Sequence, residues 1–240
     1  MSFPCPTFGL VEVYARLLEF QRHPVKYRLE GRNFLINYPD LLKGDPDVIY
    51  LASPDNPTGH TIADDELDAL CRSGKKIILD LAYLDFIGDP QEKFRYYASL
   101  YKKHKNLYLV GSFSKSRGAA GLRIGYVISQ PLNIARIREA KPQFEINSVA
   151  CEFVKYFSRH KGVFKSSVSR LKQGKKMLEK TLESRGHAVI PASGNFTLAR
   201  FSASLEKYLS RKSKVAVISI CGSKFIRITA ADPKTIAGIL

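Results

Sequence analysis

One lysine set among hydroxyl and glycine residues is the most reactive-looking feature of the sequence. The run is Gly111-Ser112-Phe113-Ser114-Lys115-Ser116-Arg117-Gly118, followed by Gly121-Leu122-Arg123-Ile124-Gly125-Tyr126. Hydroxyls together with a guanidinium suit a phosphate. A lysine held near positive charge gives up its proton more readily and becomes a usable amine nucleophile. The glycines fit either a plain flexible turn or a phosphate cradle, and the spacing is not that of a Walker A loop. Three other segments could join it. Asp80-Leu81-Ala82-Tyr83 closes an apolar run, IILDL. A carboxylate there is costly to bury without a partner. A cationic ring nitrogen would serve, and a surface carboxylate at a strand end is the plain alternative. Ser53-Pro54-Asp55-Asn56-Pro57-Thr58-Gly59 follows the run VIYLA and is rich in turn formers. On its own it reads as a loop. Arg227, in Phe225-Ile226-Arg227-Ile228-Thr229, points away from its apolar neighbours if the segment is a strand. Turned inward it needs an anion, and a carboxylate gripped through two parallel hydrogen bonds would serve.

The elements that must position these residues alternate in type. Leu10 to Phe20 reads as a helix and Val25 to Leu29 as a short strand. Val48 to Ala52, Lys76 to Leu81, Leu107 to Ser112 and Leu122 to Ile128 read as buried strands. Thr61 to Cys71 reads as a helix with Thr61 and Asp64 placed for a capping box. Strands alternating with helices predict a mostly parallel α/β sheet. Near Pro131 the texture changes. Helical patterns cover about 132–140, 148–160 and 163–185, then strands near 195–201, 215–220 and 224–229 with a helix near 203–210. That predicts a smaller α+β part joined to the α/β part.

Bulk properties narrow the class. The 240 residues are 45% hydrophobic and 25% charged, an ordinary globular balance. No apolar run reaches the roughly 18 residues of a membrane helix, and the start lacks signal-peptide regions, so the expected compartment is cytoplasmic, with no membrane partner. Cys5, Cys71, Cys151 and Cys221 show no metal-ligand spacing; free thiols and no metal are expected. The net charge of +16 favours acidic partners. Its densest stretch, 155–180, interleaves Lys and Arg with apolar residues at helical spacing, the pattern of a solvated helix face. No nucleic-acid-binding motif accompanies it, so no nucleic acid partner is expected.

The four segments, in this order and strand context, resemble the class I/II aminotransferases, fold-type I pyridoxal-phosphate enzymes, and among them the histidinol-phosphate aminotransferase branch. The resemblance runs from Pro6-Thr7-Phe8-Gly9-Leu10 to Arg227. It implies a three-layer, mostly parallel α/β large domain over residues 1–140, incomplete at its N-terminus, and a smaller C-terminal α+β domain over 141–240. It implies pyridoxal 5'-phosphate as cofactor, with Lys115 as the lysine that holds it as a Schiff base and moves the Cα proton. Asp80 would pair with the pyridinium nitrogen. Asn56 and Tyr83 would bond the phenolic oxygen, Ser112, Ser114 and Arg123 the phosphate, and Phe8 would stack on the ring. Arg227 would hold the substrate α-carboxylate, with Asn195 of Gly194-Asn195-Phe196 near the substrate. The resemblance also implies a homodimer.

The sequence departs from that pattern at its start. The Pro-Thr-Phe segment stands at residue 6, where the family carries an N-terminal arm, a glycine-rich phosphate-cradling turn and a sheet strand before it; Val11 stands where the family usually has a tyrosine. An N-terminally truncated chain is expected. The leading expectation is amino-group transfer between an amino acid, one bearing a phosphate such as histidinol phosphate included, and a 2-oxo acid. Decarboxylation of a phosphorylated hydroxy-amino acid, as in threonine-phosphate decarboxylases, is the alternative within the same fold. An inactive truncated homologue or a basic nucleic-acid-binding protein is the alternative of another class.

Overall fold

Continuous apolar runs set the centre of the molecule. The computed structural model describes residues 1–210 and 216–239. In chain order its elements are β1 (Ser2–Cys5), α1 (Leu10–Leu17), β2 (His23–Lys26), β3 (Arg28–Glu30), β4 (Asn33–Leu35), β5 (Val48–Ala52), α2 (Asp64–Arg72), β6 (Lys76–Asp80), α3 (Pro90–Lys103), β7 (Leu107–Ser112) and β8 (Gly125–Ile128). Then follow α4 (Pro131–Ala140), α5 (Ser148–Arg159), α6 (Lys161–Ser184), β9 (Val189–Ile190), β10 (Phe196–Arg200), α7 (Ala203–Ser210), β11 (Ala216–Ile220), β12 (Ser223–Thr229) and α8 (Pro233–Ile239). Residue 215, expected to open the strand before the last hairpin, lies outside the described residues.

The main sheet has the order β2-β1-β5-β6-β7-β8. From β2 to β7 all pairings are parallel. Ile49, Leu51, Ile77, Leu79, Leu107 and Leu109 alternate along the strands and form one fully buried face; on the other face Tyr50 is buried against Phe3, Val11 and Ala15, while Ile78, Tyr108 and Val110 are half-buried. The strand expected over 122–128 is shorter, because 120–122 forms a 3-10 turn, and it runs antiparallel to β7. The reason is the connection: no helix crosses over between β7 and β8, and without a crossover the chain can only double back. The expected start of α2 also moves. The helix begins at Asp64, and Glu66 accepts the backbone N–H of Ala63 at 3.4 Å, so the Thr61–Asp64 box does not form. Its other half is missing because alanine has no acceptor. The helix α3 starts on a cap that does form: Asp89 Oδ1 accepts the N–H groups of Gln91 and Glu92 at 3.0 and 2.9 Å, with Pro90 at the first turn.

The second sheet is antiparallel, in the order β11-β12-β10-β9. One face packs Ala199 and Ile226 against Leu178 and Leu182 of α6, Leu205 and Leu209 of α7, and Ile236 of α8. A tight approach of α6 makes this possible: a Cβ on Gly174 would sit 1.9 Å from the carbonyl oxygen of Ala231. The other face sends Leu198 and Phe225 into the same cluster as Leu51, Leu79 and Leu109 of the main sheet. Phe225 meets Phe34 edge-on, with centroids 5.6 Å apart. Among the described residues, no helix is long and apolar enough to cross a membrane.

Candidate active site

Three loops leave the main sheet at the same edge. They follow the carboxyl ends of β5, β6 and β7, where ligands of open parallel sheets bind. Asp80 is the last residue of β6 and sits beside Ala52, the last of β5. Its carboxylate accepts the hydroxyl of Tyr50 at 2.9 Å and the backbone N–H of Ala82 at 2.8 Å. Burial pushes its pKa up, while those two bonds and the charge of Lys115 oppose the rise. Lys115 follows β7 and is itself exposed. Its Nζ lies 5.4 Å from the centre of the Tyr83 ring. Tyr83 is buried and meets Phe196 edge-on at 5.5 Å. The guanidinium of Arg227 lies 4.2 Å from the Phe196 ring centre. Its Nε is buried and has no hydrogen-bond partner among the described residues. Burial lowers the pKa of Arg227 and Tyr83 opposes this. A buried donor left without a partner costs free energy, so Arg227 is set to receive an acceptor.

The other expected residues attach less directly. Ser112 Oγ accepts the N–H of Ser114 at 3.0 Å, which folds the start of the lysine loop. Arg123 stands apart. It is exposed, its φ is +53°, and its guanidinium bonds the carbonyl of Ala120 at 3.0 Å. Asn195 holds the edge of the second sheet by accepting the N–H of Ala230 at 2.7 Å through its carbonyl. Phe8 is 42% exposed.

Sequence reasoning passed over the residue that joins Phe8 and Asn56 to the rest. Asp55 is fully buried. Its carboxylate accepts from Thr7 Oγ1 at 2.6 Å, from the Tyr27 hydroxyl at 2.7 Å and from the Asn56 N–H at 2.7 Å. Burial pushes its pKa up to about 7; the three bonds oppose that and Asp80 adds to it. A carboxyl amid turn formers was the available signal. Tyr50, in the buried run VIYLA, gave a similar one, since a buried phenol seeks a partner.

The raised pKa of Asp55 has a measurable sign. An unfolded carboxyl titrates near 4, so the folded state holds its proton over the window from about 4 to 7. The group's contribution is full below that window and is lost as pH rises through it. Relative to Asp55→Asn, the native protein should therefore lose up to about 4 kcal/mol of unfolding free energy between pH 4 and 7, and nothing more above. Urea midpoints measured across that range check this; a difference that stays flat sinks it.

The loop after β5 is pinned at its far end as well. Gly59 has φ +69°, its carbonyl accepts the N–H of Ser193 at 2.9 Å, and a Cβ there would lie 2.4 Å from Cβ of Ala192. Gly59→Ala should cost about 2 kcal/mol or more, through both overpacking and backbone strain. A thermal melt within a degree of the native one would contradict this.

The sequence model for "Aminotransferase class I and II" matches residues 2–237. The chain belongs to this family. Among its curated relatives is the histidinol-phosphate aminotransferase of Thermotoga neapolitana, 28% identical over 194 residues. That match covers 81% of this chain and 54% of the relative, so the chain spans about half of that protein's length. Solved structures share the fold. The histidinol-phosphate aminotransferase of Clostridium acetobutylicum superposes with a TM-score of 0.83 at 22% identity, over 99% of this chain and 76% of the other. That of Sinorhizobium meliloti, solved in complex with pyridoxal-5'-phosphate, gives 0.80 at 17% identity, over 100% and 68%. The α/β architecture read from the sequence is thus the one found.

Proposed function

We propose that the chain is the catalytic part of a pyridoxal-5'-phosphate-dependent aminotransferase that moves an amino group between an amino acid and a 2-oxo acid. The observation that carries this is the grouping of Asp80, Lys115, Tyr83 and Arg227 around one end of the main sheet. The donor set fits the cofactor. Asp80 is a half-buried carboxylate suited to a cationic ring nitrogen, Lys115 is an accessible amine, and Arg227 has an unpartnered donor for a carboxylate. When bound, the cofactor supplies an electron sink for charge developing at the substrate Cα.

The chain's own residues do the rest. Lys115 would hold the cofactor through its ε-amine and, once released from that bond, carry the proton to and from Cα. Asp80 would keep the ring nitrogen protonated. Asn56 and Tyr83 would bond the phenolic oxygen. Ser112, Ser114 and Arg123 would take the phosphate, Phe8 would cover the ring, and Arg227 would fix the α-carboxylate, with Asn195 beside it. We assign residues 1–140 to the cofactor domain and 141–240 to the smaller one. The reading includes a cytoplasmic homodimer acting on small amino acids and 2-oxo acids, one of them phosphorylated as the likeness to histidinol-phosphate aminotransferases suggests. Four free cysteines fit a reducing compartment.

Titration with pyridoxal phosphate tests the reading. The protein should develop a visible absorbance band, and borohydride reduction followed by peptide mapping should put the cofactor's mass on Lys115. Amino acids should then yield 2-oxo acids. A colourless protein would leave only a non-catalytic remnant. Carbon dioxide without an oxo acid would make it a decarboxylase.

A further inference from the structure

Phe8 and Asn56 lie far apart in sequence, on loops that follow the neighbouring parallel strands β1 and β5, whose pairing is limited to Ser2 and Ile49. Residues 6–9 are a short linker between β1 and α1. Among the described residues, the side-chain hydrogen bond tying this linker to the rest of the chain runs from Thr7 Oγ1 to Asp55 Oδ1, at 2.6 Å. The same oxygen accepts the N–H of Asn56. The main chain of Asp55 is already fixed by its own loop, where it accepts from Gly59 N–H and donates to His60 O, both at 2.8 Å. Its side chain is therefore free to reach across the site. The other oxygen takes the Tyr27 hydroxyl, which anchors the carboxylate to the segment between β2 and β3.

We propose that Asp55 is a positioning residue whose buried carboxylate locks the Phe8 segment to the Asn56 loop, fixing the side chain proposed to cover the cofactor ring relative to the one proposed to bond its phenolic oxygen. The cofactor clause rests on the function proposed above; the lock itself does not. The two arms of the carboxylate differ in kind. Thr7 belongs to a wall of the site, whereas Tyr27 serves only as anchor. Asparagine at 55 keeps an acceptor for Thr7 and Asn56, and its amide can donate to the Tyr27 oxygen.

Three variants separate a lock from a merely structural bond. Thr7→Val cuts the wall arm, Tyr27→Phe cuts the anchor arm, and Asp55→Asn keeps both. Pyridoxal phosphate affinity is read by absorbance. Hydrogen exchange is read on peptides covering 6–10 and 53–59 without cofactor. Thr7→Val should weaken cofactor binding about tenfold, the effect expected of one lost hydrogen bond, and speed exchange in both segments together. Tyr27→Phe should lower the melting temperature yet bind within about twofold, and Asp55→Asn should bind within about threefold, both small beside that loss. If Thr7→Val and Tyr27→Phe weaken binding equally, or Thr7→Val leaves exchange over 53–59 unchanged, the lock is overturned. Should the native protein take up no pyridoxal phosphate, the functional reading fails while the exchange experiment alone still decides the lock: coupled faster exchange upholds it and unchanged exchange removes it.

Discussion

Lys115→Ala should abolish the visible band expected of the cofactor-treated protein and lower its turnover by at least about a thousandfold. The estimate follows from what the side chain would do. Positioned acid–base groups contribute roughly 10²–10⁴ in rate, and the same amine anchors the cofactor. Its neighbours cannot replace it: Ser114 and Ser116 carry hydroxyls of far higher pKa, and Tyr83 is buried. Because Lys115 is exposed and its amine meets only the face of the Tyr83 ring among the described side chains, its removal should leave the fold intact. Circular dichroism and a thermal melt establish that, and a steady-state assay with an amino acid and a 2-oxo acid reads the loss. A small amine in the buffer should restore part of the rate by standing in as base. A variant that keeps a tenth of native turnover would remove Lys115 from the chemistry.

Asp80→Asn should separate stability from activity. Burial disfavours the ionised carboxyl, so exchanging it for an amide should leave the protein without added cofactor as stable or more so. The amide oxygen still accepts the N–H of Ala82, and its nitrogen can face the Tyr50 oxygen. Turnover should fall by about 10²–10³, the usual loss when a preorganised electrostatic contact to developing charge is removed. An amide cannot hold a ring nitrogen in its protonated form. Urea denaturation and the same steady-state assay give the two numbers. A parallel fall in both would make Asp80 a structural residue instead.

Three of the strands legible in sequence share one property. VIYLA, IILDL and LYLVGS lie inside the main sheet, and such strands read as unbroken apolar runs. The strand β1 was not legible: it has four residues, and Pro4 among them lacks an N–H for the ladder. The helix α3 hid for another reason. Only Tyr97 and Leu100 are buried on it, among tyrosines and lysines that blur the apolar stripe. The direction of β8 is a property of its connection rather than of its residues. In the site, Asp80 and Arg227 stood out because each is a charge among apolar residues, and Lys115 because hydroxyls and glycines surround it. Asp55 did not, since its partners Thr7 and Tyr27 come from segments 48 and 28 residues away, and no local pattern encodes such a meeting.

The two sheets are cemented through one apolar cluster, and this bears on what the protein can recognise. Phe225 lies in that cluster, and Arg227, two residues along β12, faces the same way. Leu79, next to Asp80 on β6, belongs to the same cluster. The span between Arg227 and Asp80 is thus set by packed side chains before any substrate arrives, and dense interiors yield little. In the proposed reaction the chain works as a calliper clamped at one setting. Asp80 would meet the cofactor ring at one end, and Arg227 the carboxylate of the amino acid joined to that ring at the other. A β- or γ-amino acid, with its carboxylate one or two carbons farther from the amine, would overshoot Arg227 and be turned away by length rather than by charge.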